Sequence, residues 1–263
     1  MDQRPLIRTA AVAALMLAPG ACATGGGSGP APLPASGYLD AATLGALSGA
    51  ITPSLETLAW TGDETPGAAP GSDRWWMATA QAELRPPEAA QHFDCVLGTR
   101  LAGAPRPALT RLMSRLLADA DSLTRRLAAQ HHRARPIAVD PTLQPCQRVK
   151  DAMRDSPSWP ANGAVVGAAY GEMFAALAPD RAEAARREGA EMGVSRVVCR
   201  MNWPGDVRDG ANIGRTLYAH AAATPDFTAD LEAARTEVTA ARAEGLTNPS
   251  CAAERRALRT SSN

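Results

Sequence analysis

Residues 105–136 read PRPALTRLMSRLLADADSLTRRLAAQHHRARP, and this stretch decides the fold class. Pro105 and Pro107 are start signals. After them Leu109, Leu112, Met113, Leu116, Leu117, Ala120, Leu123 and Leu127 fall on one stripe at helical spacing. Arg111, Arg115, Asp119, Arg125 and Arg126 fill the other side, so the segment reads as an amphipathic core helix. It ends before Pro136, which biases Arg135 away from helical geometry and places it in a loop.

Working outward, the same periodicity recurs. A second helix is expected over about 164–177, with Val166, Tyr170, Met173, Phe174 and Leu177 as its apolar set. Pro179 and Asp180 open another that carries Arg196 towards its end. Pro204 and Gly205 break the pattern, and Asp206 reads as the N-cap of a further helix with Val207, Gly210, Ile213, Gly214, Leu217 and Tyr218 inward. A surface-like helix follows over about 228–244, and 44–51 and 74–84 are shorter candidates. Alternating β-branched runs are absent, so the expectation is an all-α bundle with no sheet of consequence.

The chain has 263 residues, enough for one domain with a leader. Its 27 basic and 27 acidic residues cancel, and nothing in that balance points to nucleic acid or an anionic membrane surface. Arg4 and Arg8 precede a short apolar run from Ala10 to Ala18, the pattern of an export signal over 1–22. Cys22 and the Gly- and Pro-rich stretch after it resemble a lipoprotein processing site and tether (23–37), although Pro19 stands where leucine is usual. Lipidation of Cys22 and ordinary cleavage nearby both stay open. The remaining residues, 38–263, read as a single domain. Without Cys22, four cysteines are left: Cys95, Cys146, Cys199 and Cys251. In an oxidising compartment they argue for two disulfides, with three connectivities open.

Three short segments carry the chemistry. They are His132-Arg133-Ala134-Arg135-Pro136, then Ser158-Trp159-Pro160-Ala161-Asn162-Gly163, then Ser195-Arg196-Val197-Val198-Cys199-Arg200-Met201-Asn202-Trp203-Pro204-Gly205-Asp206. In order and spacing they resemble the signature of the class A bacterial acid phosphatases, within the phosphatidic acid phosphatase type 2 superfamily: KxxxxxxRP, PSGH, SRxxxxxHxxxD. The resemblance implies the helical bundle of the acid phosphatase and vanadium haloperoxidase type. It also implies a histidine nucleophile held by an aspartate, a second histidine as general acid, and a lysine, two arginines and a serine gripping the phosphoryl oxygens.

Position by position, Arg135, Arg196 and Asp206 match the two arginines and the orienting carboxylate. Ala128, Ala161, Gly163 and Asn202 stand where the family has lysine, serine, the acid histidine and the nucleophile. An amide nitrogen is neither basic nor a phosphoryl carrier, so the expectation is a protein that has lost phosphomonoesterase activity. Arg135 and Arg196 could still bind phosphate or another small anion. In a competing reading Arg196 pairs with Asp206 or a backbone carbonyl and the cleft is closed. Two further alternatives are an active phosphatase using His131 or His132, and a structural or interaction lipoprotein of the envelope. The resemblance also implies pairing of Cys95 with Cys199 and of Cys146 with Cys251. His92 and His220 lie outside the motifs and read as surface or packing residues. No HxxxH, HExxH or CxxC cluster suggests a metal, and no cofactor is expected. A homo-oligomer stays open, and contact with a membrane is expected only through a lipid anchor.

Overall fold

The computed structural model describes residues 36–55 and 68–260. The leader, Cys22 and most of the tether lie outside them. Among the described residues there is no strand, and the expectation of an all-α fold holds. Among the described residues, eight helices of two turns or more make the frame: α1 (Ala41–Ala50), α2 (Asp73–Ala80), α3 (Pro107–Gln130), α4 (Asn162–Leu177), α5 (Ala182–Val198), α6 (Pro204–Ala222), α7 (Pro225–Ala243) and α8 (Cys251–Thr260). No helix among the described residues is long and apolar enough to cross a membrane.

The long helix α3 is the stripe described above, and every residue of that stripe is buried. It packs on α7, α4 and α1, which bring Phe227, Val238, Tyr170, Phe174, Leu44 and Leu47 to the same core. Asp119 departs from expectation. It lies on the polar side in sequence but is buried, because its carboxylate accepts the backbone N–H groups of Tyr38 (2.7 Å) and Leu39 (3.2 Å) and ties the entry to α1 onto α3. A second tie runs through Asp230 on α7, which accepts the Tyr38 hydroxyl and pairs with Arg111 and Arg115.

Helix α4 is buried almost along its whole length, between α5 and α6, and its sequence shows why. A Cβ at Gly167 would lie 2.4 Å from the Gly189 carbonyl oxygen, and one at Gly189 would lie 2.2 Å from that of Gly167. Across the other face, a Cβ at Gly214 would lie 2.2 Å from the Val165 carbonyl oxygen. Only glycine lets these backbones touch, so the three helices that carry the second and third motifs form one tightly packed unit.

Two expectations need correction. The N-cap of α6 is Trp203, with Pro204 in the first helical turn, where its missing N–H costs nothing; Asp206 is one turn in and accepts the Trp203 N–H at 3.2 Å. The disulfides are Cys95–Cys251 and Cys146–Cys199, with Cα separations of 5.4 and 4.8 Å. The loop holding Cys146 packs with Ile137, Ala78, Val198 and Met201 in a small core of its own, directly against Cys199. Cys95 instead sits in the one-turn helix Asp94–Leu97, where it meets the start of α8.

Candidate anion site

The three segments converge at the N-terminus of α4. Ala161, the N-cap, has no side chain to accept an N–H, so the first turn of α4 has no side-chain cap. Its partial positive charge is left facing the site. Arg196, near the end of α5, lies across this turn. A Cβ at Gly163 would fall 2.6 Å from Cδ and 2.8 Å from Cγ of Arg196, so the arginine fills the volume that a side chain at 163 would need.

Among the described residues, no protein group accepts a hydrogen bond from the Arg196 guanidinium. Burial, reinforced by the neighbouring charge of Arg135, lowers it from the usual arginine range to about 10. Arg135 is occupied differently. Its Nε donates to the Met153 carbonyl and to Ser156 Oγ, both at 3.1 Å, Nη1 donates to the Met201 carbonyl at 2.7 Å, and Nη2 donates to Ser156 Oγ at 3.0 Å. It therefore fastens the loops at 153–156 and 201 together while placing a positive charge beside Arg196. Burial lowers Arg135 as well, and the charge of Asp206 works against that.

Asp206 is fully buried, and its acceptor positions are taken. It receives Ser158 Oγ–H at 2.5 Å, the Trp203 N–H at 3.2 Å and Arg133 Nη1 at 3.0 Å. Burial raises its pKa above the usual carboxylate range, with the Ser158 bond and the Arg133 charge opposing. Asn202 is buried and spends its Nδ2 on the Ser158 carbonyl at 2.6 Å. Ser158 N–H in turn donates to the Arg133 carbonyl at 2.7 Å, and Trp203 Nε1 to the Ala134 carbonyl at 2.8 Å. The remnants of the motifs are thus laced together by hydrogen bonds.

The competing arrangement, Arg196 on Asp206 or on a carbonyl, is not the one found. Arg133 takes the carboxylate and Arg135 takes the carbonyls. Sequence reasoning missed Arg133. The available signal was its place two residues before Arg135 in a segment directed into an extended conformation by Pro136, where alternate residues share a side. Ser195 also points elsewhere: it is buried, accepts Arg74 Nη1 at 2.8 Å and donates to Gln81. His131 packs edge-on against Trp159 with ring centroids 5.2 Å apart, and His132 is exposed. His92 is buried and bonded to the Glu83 carbonyl, whereas His220 is exposed. A cleft of about 410 Å³ adjoins the start of α4, lined by Asn162, Asp121, Met153, Leu117 and Glu83 among others. Among the described residues, no group of three or more His, Cys, Asp or Glu could hold a metal ion.

The chain is similar in sequence to curated acid phosphatases. The chain is 30% identical over 178 residues to an acid phosphatase of Zymomonas mobilis, covering 67% of each. It is 26% identical over 171 residues to a non-specific acid phosphatase of Salmonella typhimurium, covering 64% of this chain and 68% of that one. A non-specific acid phosphatase of Providencia stuartii is 24% identical over 167 residues, covering 63% of this chain and 67% of the relative. No family model matches the chain. The chain belongs to the class A bacterial acid phosphatase family.

Proposed function

We propose that this member of the family is an exported protein that no longer hydrolyses phosphomonoesters and that binds phosphate or a similar small oxyanion through Arg196. The observation that carries the reading is the Arg196 guanidinium, which has no protein acceptor among the described residues. It lies beside the charge of Arg135 and across the uncapped first turn of α4. A planar, permanently charged fork next to a helix N-terminus suits a tetrahedral oxyanion.

Loss of turnover is supported by the residues at the reacting positions. Asn202 has no basic nitrogen and its amide is committed to Ser158, and Gly163 offers no proton donor. Without a nucleophile the covalent step has no first half. Export is supported by the leader-like segment 1–22 and by two disulfides, which persist in oxidising compartments.

Calorimetric titration of the mature chain with inorganic phosphate tests the binding. Measurable affinity is expected, with loss of binding in Arg196→Ala at an unchanged helical circular dichroism signal; equal affinity in the variant would overturn the assignment. Hydrolysis of 4-nitrophenyl phosphate from acidic to neutral pH tests the chemistry. Turnover that survives purification and disappears in His131→Ala or His132→Ala would show instead an active, rewired phosphatase.

A further inference from the structure

Asp206 poses a problem for any anion that enters this site. A buried carboxylate close enough to act on the charge of Arg135 repels the ligand that Arg135 and Arg196 would attract. Ser158 Oγ and the Trp203 N–H donate to it and favour the ionised form, against the burial that raises its pKa. The positive charge in contact with it is Arg133, whose Nη1 lies 3.0 Å from Oδ1 and whose guanidinium sits over the Trp203 ring, 5.6 Å from the centroid. The Arg133 side chain is itself largely buried, at 21% exposure, so solvent screens the pair only in part.

We infer that Arg133 is a positioning residue for the anion site: by neutralising Asp206 it allows the Arg196 guanidinium and the start of α4 to accept a negative ligand. The inference rests on the anion-binding reading above. With Arg133 in place the four central groups, Arg133, Arg135, Arg196 and Asp206, sum to two positive charges. Without it they sum to one, and the carboxylate is left without the guanidinium that pairs with it.

A charge-cancellation cycle with inorganic phosphate, read by calorimetry on the full mature chain, tests this. Arg133→Gln is expected to weaken phosphate binding by about tenfold, the order of one formal charge lost in a partly buried site. Arg133→Gln combined with Asp206→Asn is expected to return affinity to near the wild-type value, because the negative charge leaves with its partner, and Arg133→Lys is expected to retain most of it. A purely structural role would make the double variant weaker than either single one, and that result overturns the inference. So does unchanged affinity in Arg133→Gln. If Arg133→Gln does not fold, Arg133→Lys and the double variant still decide, since both keep the charge balance. Absence of phosphate binding in the wild-type chain would instead remove the underlying anion reading, and this inference with it.

Discussion

Arg196 and Gly163 are matched to each other: the aliphatic part of the arginine occupies the space any side chain at 163 would need, at 2.6 Å from the site of the missing Cβ. A side chain at 163 and the present course of Arg196 are therefore mutually exclusive. Gly163→Ala is expected to displace the guanidinium and lower phosphate affinity severalfold while costing about 1–3 kcal/mol in urea denaturation, the range for overpacked sites. Unchanged affinity in the variant would show that Arg196 can grip the anion from more than one position.

On the proposed reading, placing a histidine at 202 is not expected to create phosphomonoester hydrolysis. In Asn202→His the ring would find Asp206 already engaged by Ser158, Trp203 and Arg133, so nothing would fix its tautomer. The variant also leaves the Ser158 carbonyl without its partner, at a cost of about 1–3 kcal/mol. The expected result is no gain of 4-nitrophenyl phosphate hydrolysis together with a lowered melting temperature; turnover in this single variant would refute the argument.

Stability should fall as pH rises through neutrality. Glu188 is buried and accepts only the Gln81 amide, at 2.6 Å. Burial raises it to about 8, with the charges of Glu254 and Glu191 adding to the effect, and burial raises Glu254 to about 7 with Asp94 adding. Between about pH 5 and 8 the folded chain holds protons that the unfolded chain has released, so folding stability is greatest on the acid side and declines towards pH 8. Thermal melts across this range should show the decline, and Glu188→Gln should flatten it. A melting temperature that rises from pH 5 to 8 would contradict the assignment.

Non-reducing peptide mapping should link Cys95 to Cys251 and Cys146 to Cys199. The two bridges span 156 and 53 residues, and loop-closure entropy assigns each about 4–5 kcal/mol. Replacing the Cys95–Cys251 pair by alanines is expected to lower stability by several kcal/mol, read by urea denaturation. Fragments joining Cys95 to Cys199 would disprove the connectivity.

The parts of the fold visible in the sequence were those governed by periodicity. The stripe on α3 is buried residue for residue, because eight apolar positions at helical spacing leave one way to cover them. The start of α6 was misplaced by three residues, since Pro204 and Gly205 read as breakers although proline is at home in a first turn. The disulfide pairing was not legible, because it depends on which loop the end of α5 packs against. In the site, the motif resemblance singled out Arg135, Arg196 and Asp206, and the structure brings them near one another. The exchange of partners that gave Asp206 to Arg133 arises from side-chain reach across loops far apart in the chain.

The glycine contacts that let α4 touch α5 and α6 set an asymmetry in what this architecture tolerates. Gly214→Ala drives a methyl group against the Val165 carbonyl, a backbone atom that cannot rotate away, whereas a Cβ at Gly163 meets the flexible Cδ and Cγ of Arg196. A single added carbon in the seam between the helices therefore meets backbone that cannot give way, whereas one at the start of α4 meets a side chain that can.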